Sequence, residues 1–181
     1  MNRLLIVILL LCVFLLAGST AFSADDALAN QFYKEGKDFN KQKNYHAAVK
    51  SFTSAIELKP DYYDAFLQRG YAHEKLDSIK HAMRDYNSAI QLKPEMSVGY
   101  QFRGFINMVK LKEYDLAIQD YNKAIELHPS YAPYYYFRGM ARQWQGDLNG
   151  AAHDFEQALV IDPNHKSARE KLANLKKVMR P

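Results

Sequence analysis

Six histidines, one cysteine and scattered serines and aspartates are the residues that could ligate a metal or attack a carbonyl. Zinc chemistry needs His, Cys or carboxylate ligands brought to one point, which a helix does most simply with a pair at i, i+4. His46, His73, His81, His128, His153 and His165 form no such pair, and His73-Glu74 has no second histidine at metal spacing. No HExxH, CxxC, phosphate-binding glycine loop or GxSxG pattern occurs. Ser97 and Asp61 read as helix caps or turns, and Asp162-Pro163-Asn164 as a turn. These residues predict no catalytic site, no metal and no cofactor, so any function must lie in the surface the fold presents.

The fold must first be affordable. With 48% apolar and 24% charged residues the chain can bury a core, and global disorder is excluded. A net charge of +4, spread over 24 basic and 20 acidic residues, leaves no dense basic stripe for nucleic acid. The 13 tyrosines and 10 phenylalanines exceed what helix propensity alone calls for, which assigns them to packing or recognition.

The amino-terminal segment is a different material. Asn2 and Arg3 precede an uninterrupted apolar run at residues 4–16, and small, mostly neutral residues follow at 17–24. This order reads as a secretory signal peptide over residues 1–24, with cleavage after Ala21 or after Ser23. The alternative is an uncleaved anchor. The apolar run makes a helix of only about 20 Å, short of a hydrocarbon core of about 30 Å, which favours cleavage. Cleavage would remove Cys12, the only cysteine, leaving no disulfide. Together with the absence of any Asn-x-Ser/Thr sequon, this points to an exported protein of a bacterial periplasm or envelope.

The rest of the chain repeats. Pro60, Pro94, Pro129 and Pro163 recur at spacings of 34, 35 and 34 residues, the period of a helical-pair solenoid. Counting back from each proline, Leu58, Leu92, Leu127 and Ile161 stand two before, and Ala55, Ala89, Ala124 and Ala158 five before. Phe52, Tyr86, Tyr121 and Phe155 stand eight before, and Ala48, Ala82, Ala117 and Ala151 twelve before, all on one helix face. A preceding helix repeats Phe32, Phe66, Tyr100 and Tyr135 four residues ahead of Gly36, Gly70, Gly104 and Gly139. A glycine costs a helix interior about 1 kcal/mol relative to alanine, so the sequence predicts close approach there, with each glycine facing the alanine of its partner helix. The glycine-to-alanine spacing of 12, 12, 13 and 12 puts one extra residue in the third repeat, near the turn at Lys110 to Lys112.

At these residues the chain resembles the tetratricopeptide repeat family: aromatic–x3–Gly, then Ala–x3–aromatic–x2–Ala, then the closing proline. The resemblance implies an all-α, right-handed helical-pair solenoid of four repeats with a C-terminal capping helix. The domain is expected over residues 25–181, with repeats at 29–62, 63–96, 97–131 and 132–165 and a capping helix at 166–180. Ala168, Leu172, Leu175 and Met179 form the cap's apolar stripe. The chain departs from the family before the glycine, where Glu35, Arg69, Arg103 and Arg138 replace leucine. It departs again three residues after, with Phe39, His73, Asn107 and Arg142. Arg69, Arg103 and Arg138 accompany Asp85, Asp120 and Asp154, while the first repeat has Glu35 and Ser51, so each arginine is expected to reach its own repeat's aspartate.

In this family the first helix of each pair lines the recognition face. The resemblance carries that role to Lys34, Lys37, Leu67, Gln68 and Tyr71, then to Gln101, Phe102, Phe105 and Met108, and to Tyr136, Phe137, Met140 and Trp144. It implies a non-enzymatic protein–protein interaction adaptor or scaffold whose concave groove binds a protein or peptide segment, with no nucleic acid involved. The alternatives are a self-assembling homo-oligomer or a membrane-tethered scaffold. The family's clamp for acidic chaperone tails is not matched, because Tyr33, Lys37, Gln68, Val98 and Phe102 occupy its positions.

Overall fold

The structure is a computed structural model and describes residues 24–179. The signal-peptide reading falls, apart from Ala24, outside the described residues. Among those residues the protein is all-α, with nine helices ending in a single one. The chain divides after Ser78 into two compact units. The first holds α1 (24–41), α2 (Tyr45–Leu58) and α3 (Tyr63–Lys75). The second holds α4 (Ile79–Leu92), α5 (Ser97–Ile106), α6 (Tyr114–Leu127), α7 (Ala132–Gln145), α8 (Leu148–Ile161) and α9 (Lys166–Val178). Each helix packs on the next within its unit. No described helix is long and apolar enough to cross a membrane.

The periodic alanines and aromatics are the core. Ala48, Phe52 and Ala55 are fully buried in α2, and so are Ala117, Tyr121 and Ala124 in α6 and Ala151, Phe155 and Ala158 in α8. Side-chain caps start several helices: Asn44 accepts from the Ala47 amide at 3.3 Å and Asp147 from the Gly150 amide at 2.8 Å. His165 does the same with its ring, Nδ1 accepting from the Ala168 amide at 3.3 Å. The loops at Pro94, Pro129 and Pro163 are closed from the helix that follows. The Tyr100 hydroxyl donates to the Pro94 carbonyl and the Tyr135 hydroxyl to the Pro129 carbonyl, each at 3.1 Å, and Arg169 donates to the Pro163 carbonyl.

The turn inside each repeat needs one left-handed residue. Lys43, Asp77 and Lys112 have φ of 60°, 56° and 58°, and Gly146 has φ of 98°. Only the last is the residue type that adopts this conformation without penalty.

Gly36, Gly104 and Gly139 do not face alanine. A Cβ on Gly36 would stand 2.6 Å from Cε1 of Phe52, and one on Gly139 would stand 2.8 Å from Cε1 of Phe155. On Gly104 it would meet Cβ of Asp120 at 3.1 Å and the Tyr121 ring at 3.3 Å. The partner is the large ring of the second helix, which lies against bare backbone, and the small residue is needed to admit the large one.

The extra residue of the third repeat is absorbed inside the helix, upstream of the turn. α5 continues as a π-helical turn over Asn107–Leu111, closed by left-handed Lys112. A π turn fits one more residue into the same rise and so keeps the flanking faces in register.

In α9, Ala168 and Leu175 are buried and Leu172 packs against the same core, as expected of a cap. Met179 is a correction: the helix stops at Val178 and Met179 is 37% exposed, so it lies beyond the covering stripe.

Candidate functional site

In the first unit, Lys34 and Lys37 are exposed on α1. Lys37 Nζ stands 5.5 Å from the Tyr33 ring centre, and Tyr33 lies between Phe52 and Tyr62 at 5.9 and 4.9 Å. Burial, aided by Asp64 and Tyr62, pushes the Tyr33 hydroxyl up to about 12, so it stays neutral beside the lysine. Leu67 is only 5% exposed and belongs to the core, contrary to its expected place on the recognition face. Gln68 is occupied by Asn40, whose Nδ2 donates to its carbonyl at 3.4 Å and to its Oε1 at 3.3 Å. Tyr71 meets Tyr45 edge-on at 6.3 Å and carries Lys75 over its ring at 4.8 Å.

In the second unit the first helices α5 and α7 present the aromatic residues. Phe105 meets Phe137 edge-on at 6.1 Å, and Phe137 stacks on the buried Tyr121 at 5.8 Å. Both pack against a core that includes Met108 and Met140. Those two methionines are 2% and 9% exposed, so as surface residues they are a second correction: the aromatics above cover them. Phe102 is drawn elsewhere, stacking on Tyr86 of α4 at 5.3 Å. Tyr136 contacts Phe155 at 5.9 Å and His165 at 5.0 Å; burial raises its hydroxyl pKa, a Ser167 bond opposes this and Glu170 adds to it. Gln101 is half-buried. Trp144 stands out, 44% exposed and tilted against Tyr114 at 6.1 Å. Val109 and Leu111 on the π turn are 38% and 44% exposed. Tyr114 was missed as a neighbour of this site. Its signal was the apolar residue that opens each second helix: Tyr45, Ile79, Tyr114 and Leu148.

The expected arginine–aspartate contact is present in the second unit. Arg103 Nη2 donates to Asp120 Oδ1 at 2.6 Å and its Nε to both carboxylate oxygens at 3.1 Å. Arg138 repeats the fork on Asp154, with Nη2 to Oδ1 at 2.6 Å and Nε to Oδ2 at 3.0 Å. Each arginine also reaches back one repeat, Arg103 Nη1 to Asn87 Oδ1 and Arg138 Nη1 to Asn122 Oδ1, both at 2.7 Å. Each also lies over its own repeat's aromatic, Arg103 above Tyr100 at 5.7 Å and Arg138 above Tyr135 at 5.6 Å. One guanidinium therefore ties three helices, α4–α5–α6 or α6–α7–α8. In the first repeat the polarity is reversed: Ser51 Oγ donates to Glu35 Oε2 at 3.1 Å.

Burial pushes the Asp120 carboxyl above the usual range, with Arg103 and then Asn107 opposing it, so desolvation offsets part of what the fork contributes. The coupling between the partners is still expected to be large. A double-mutant cycle on Arg103→Ala and Asp120→Ala, read by urea denaturation, should give about 1–3 kcal/mol; a value near zero would mean independent surface charges.

Repeated helix pairs with these residues match known repeat models. A model of the TPR repeat matches residues 36–77 and 108–143, and two further tetratricopeptide repeat models match 63–96 and 132–165, together more than half of the chain. The chain belongs to the tetratricopeptide repeat (TPR) family. Its fold is similar to that of a MamA protein, with a TM-score of 0.75 and 18% identity over 83% of this chain and 81% of that one. It is similar to PilF of Pseudomonas aeruginosa, with a TM-score of 0.76 and 19% identity over 84% of this chain and 69% of that one. It is also similar to YrrB, described as a TPR protein with an unusual peptide-binding site, with a TM-score of 0.67 and 20% identity over 81% and 75%. At these identities the likeness is one of fold. No curated protein matches the sequence. TPR domains bind protein or peptide partners, and the TPR scaffold is typically non-catalytic.

Proposed function

We propose that this TPR protein is a non-enzymatic interaction scaffold of the bacterial cell envelope that binds a segment of a partner protein on its first-helix face. The observation that carries this reading is Trp144, a large aromatic left 44% exposed on the same helix as Phe137 and tilted against Tyr114, which packs on the same core as the half-buried Phe105 and Phe137. Exposed apolar side chains forfeit about 25 cal/mol per Å² of burial until something covers them, and tryptophan is a frequent anchor of binding energy. Phe105, Phe137, Tyr136 and Gln101 supply the surrounding surface in the second unit. In the first unit the exposed Lys34 and Lys37 suit an acidic stretch of the partner. The four repeats at 29–62, 63–96, 97–131 and 132–165 form the working domain in this reading. Comparing capture by the wild-type protein and by Trp144→Ala tests it, as argued in the Discussion.

Export rests on the order of Arg3, the apolar run at 4–16 and the small residues at 17–24. The same TPR fold in PilW, described as a type IV pilus biogenesis factor, is compatible with an envelope role. The exported protein is expected to begin at Phe22 or Ala24, which its intact mass would establish. A full-length mass in the membrane fraction would replace this with a tethered scaffold.

A further inference from the structure

The third and fourth repeats differ at one position in a way that leaves a specific chemical group missing. Arg142 stands three residues after Gly139, and Asn107 three residues after Gly104. Both donate to their own repeat's buried aspartate: Arg142 Nη1 to Asp154 Oδ2 at 2.9 Å, and Asn107 Nδ2 to Asp120 Oδ2 at 3.1 Å. Asp154 therefore receives two guanidinium groups, Asp120 only one. Arg142 also reaches the Gly150 carbonyl at 3.5 Å. The counterpart of Gly150 in the third repeat is Leu116, each being the residue before the fully buried alanine of its second helix.

Where the shorter asparagine stops, a pocket of about 330 Å³ remains, lined by Asn87, Arg103, Asn107, Leu116, Asp120, the exposed Gln119 and their neighbour Met83. It thus contains the counterparts of two of the groups that Arg142 touches. Asn107 is 3% exposed, and its Oδ1 has no hydrogen-bond partner. A buried acceptor left unpaired costs about 1–3 kcal/mol. Asn107 opens the π turn of α5, the kind of helix irregularity that often accompanies a binding site.

We propose that this pocket binds a guanidinium group, the side chain of an arginine on a partner protein. The site lacks a donor and offers acceptors. Asn107 Oδ1 is an unused buried acceptor of a lining residue, which a turn of the side-chain amide would expose. The Asp120 carboxylate, though already bonded to Arg103 and Asn107, supplies negative charge; Arg103 is committed to Asp120 and Asn87, which disfavours an anion. The aliphatic stem of the incoming arginine packs on Met83 and on Leu116, whose side chain is 47% exposed. The fourth repeat shows that this architecture accommodates two guanidinium groups on one buried aspartate. Arg103 and Asn107 share α5 and its π turn with the first-helix surface proposed above, but none of the pocket residues is among those named for it, so separate substitutions test the two sites.

The test is a titration of the protein with N-acetyl-arginine methylamide, following the side-chain amides of Asn107 and Gln119 by NMR, with the norleucine analogue as control. The arginine probe should shift both saturably and the norleucine probe should not. Asn107→Arg, which copies the fourth repeat, should raise the melting temperature and abolish the shift at Gln119. If that variant does not fold, Asn107→Ala replaces it and should weaken the shift at Gln119, because the acceptor is gone. No shift with the arginine probe, or equal shifts with both probes, would overturn the proposal, as would a shift unchanged in the variant. Trp144→Ala should leave probe binding unaltered, which separates failure of this site from failure of the first-helix surface.

Discussion

Asp154→Ala should destabilise the second unit by about 3–5 kcal/mol, a loss readable as a lower urea midpoint in the fluorescence of Trp144, the single tryptophan. The aspartate is fully buried and holds Arg138 and Arg142, whose side chains are 15% and 24% exposed. Removing it leaves two guanidinium groups facing each other, Arg142 retaining only the more distant Asp147 carboxylate at 3.9 Å, and empties the space their bonds organised. Arg138 keeps its bond to Asn122, and both arginines can turn part of their charge to water, which draws the loss toward the lower end of that range. Asp154→Asn keeps the volume and separates charge from shape: a cost close to that of alanine assigns the effect to the charge. Asp120→Ala should cost less, because one guanidinium rather than two loses its partner, and Arg103 is the more exposed at 27%. A loss under about 1 kcal/mol for Asp154→Ala would place this cluster with ordinary surface ion pairs.

The helical pairing was legible because its signal is redundant. Proline, alanine and aromatic recur together at family spacing, and a face repeated in every copy has few interpretations other than core. The arginine–aspartate fork was legible for a related reason: the two residues come and go together among the repeats, as contacting partners would, and the contact is seen at Arg103–Asp120 and Arg138–Asp154. Contacts that occur once, or depend on size rather than type, were not legible. Spacing placed Gly36 opposite its partner helix but could not say whether Ala48 or Phe52 lay against it; that depends on how deeply the ring leans over the backbone. The thirteenth residue between Gly104 and Ala117 was countable, yet the count alone did not say whether it lengthened the turn or swelled the helix. Lys43, Asp77 and Lys112 carried no glycine to announce their left-handed backbone. Burial of Leu67, Met108 and Met140 was misread because a helix face gives direction, while exposure depends on the neighbouring rings that cover it.

Trp144→Ala should lower the melting temperature by only a few degrees and weaken partner capture at least about 30-fold. The stability side follows from exposure: the indole is 44% exposed and lies tilted against the Tyr114 ring at 6.1 Å. Losing such a tilted pair costs about 0.5–1.5 kcal/mol. The binding side follows from the energetics of interfaces, where truncating a central tryptophan typically removes about 2 kcal/mol or more, and each 1.4 kcal/mol is about tenfold in affinity. Phe105→Ala is the contrasting variant. Its ring packs on Phe137 over the core of the second unit, so its removal should lower the melting temperature as well as capture, and a double variant would mix the two effects. Val160→Ala, at 72% exposed on α8, is a control expected to change neither. Capture is read by crosslinking the protein in its native envelope and quantifying the partner retained, with light scattering of each purified variant alongside. If the retained species is a second copy of this chain and the wild-type mass rises with concentration while that of Trp144→Ala does not, the surface serves self-assembly. If capture and mass are both indifferent to Trp144, the exposed indole is incidental and the first-helix reading fails.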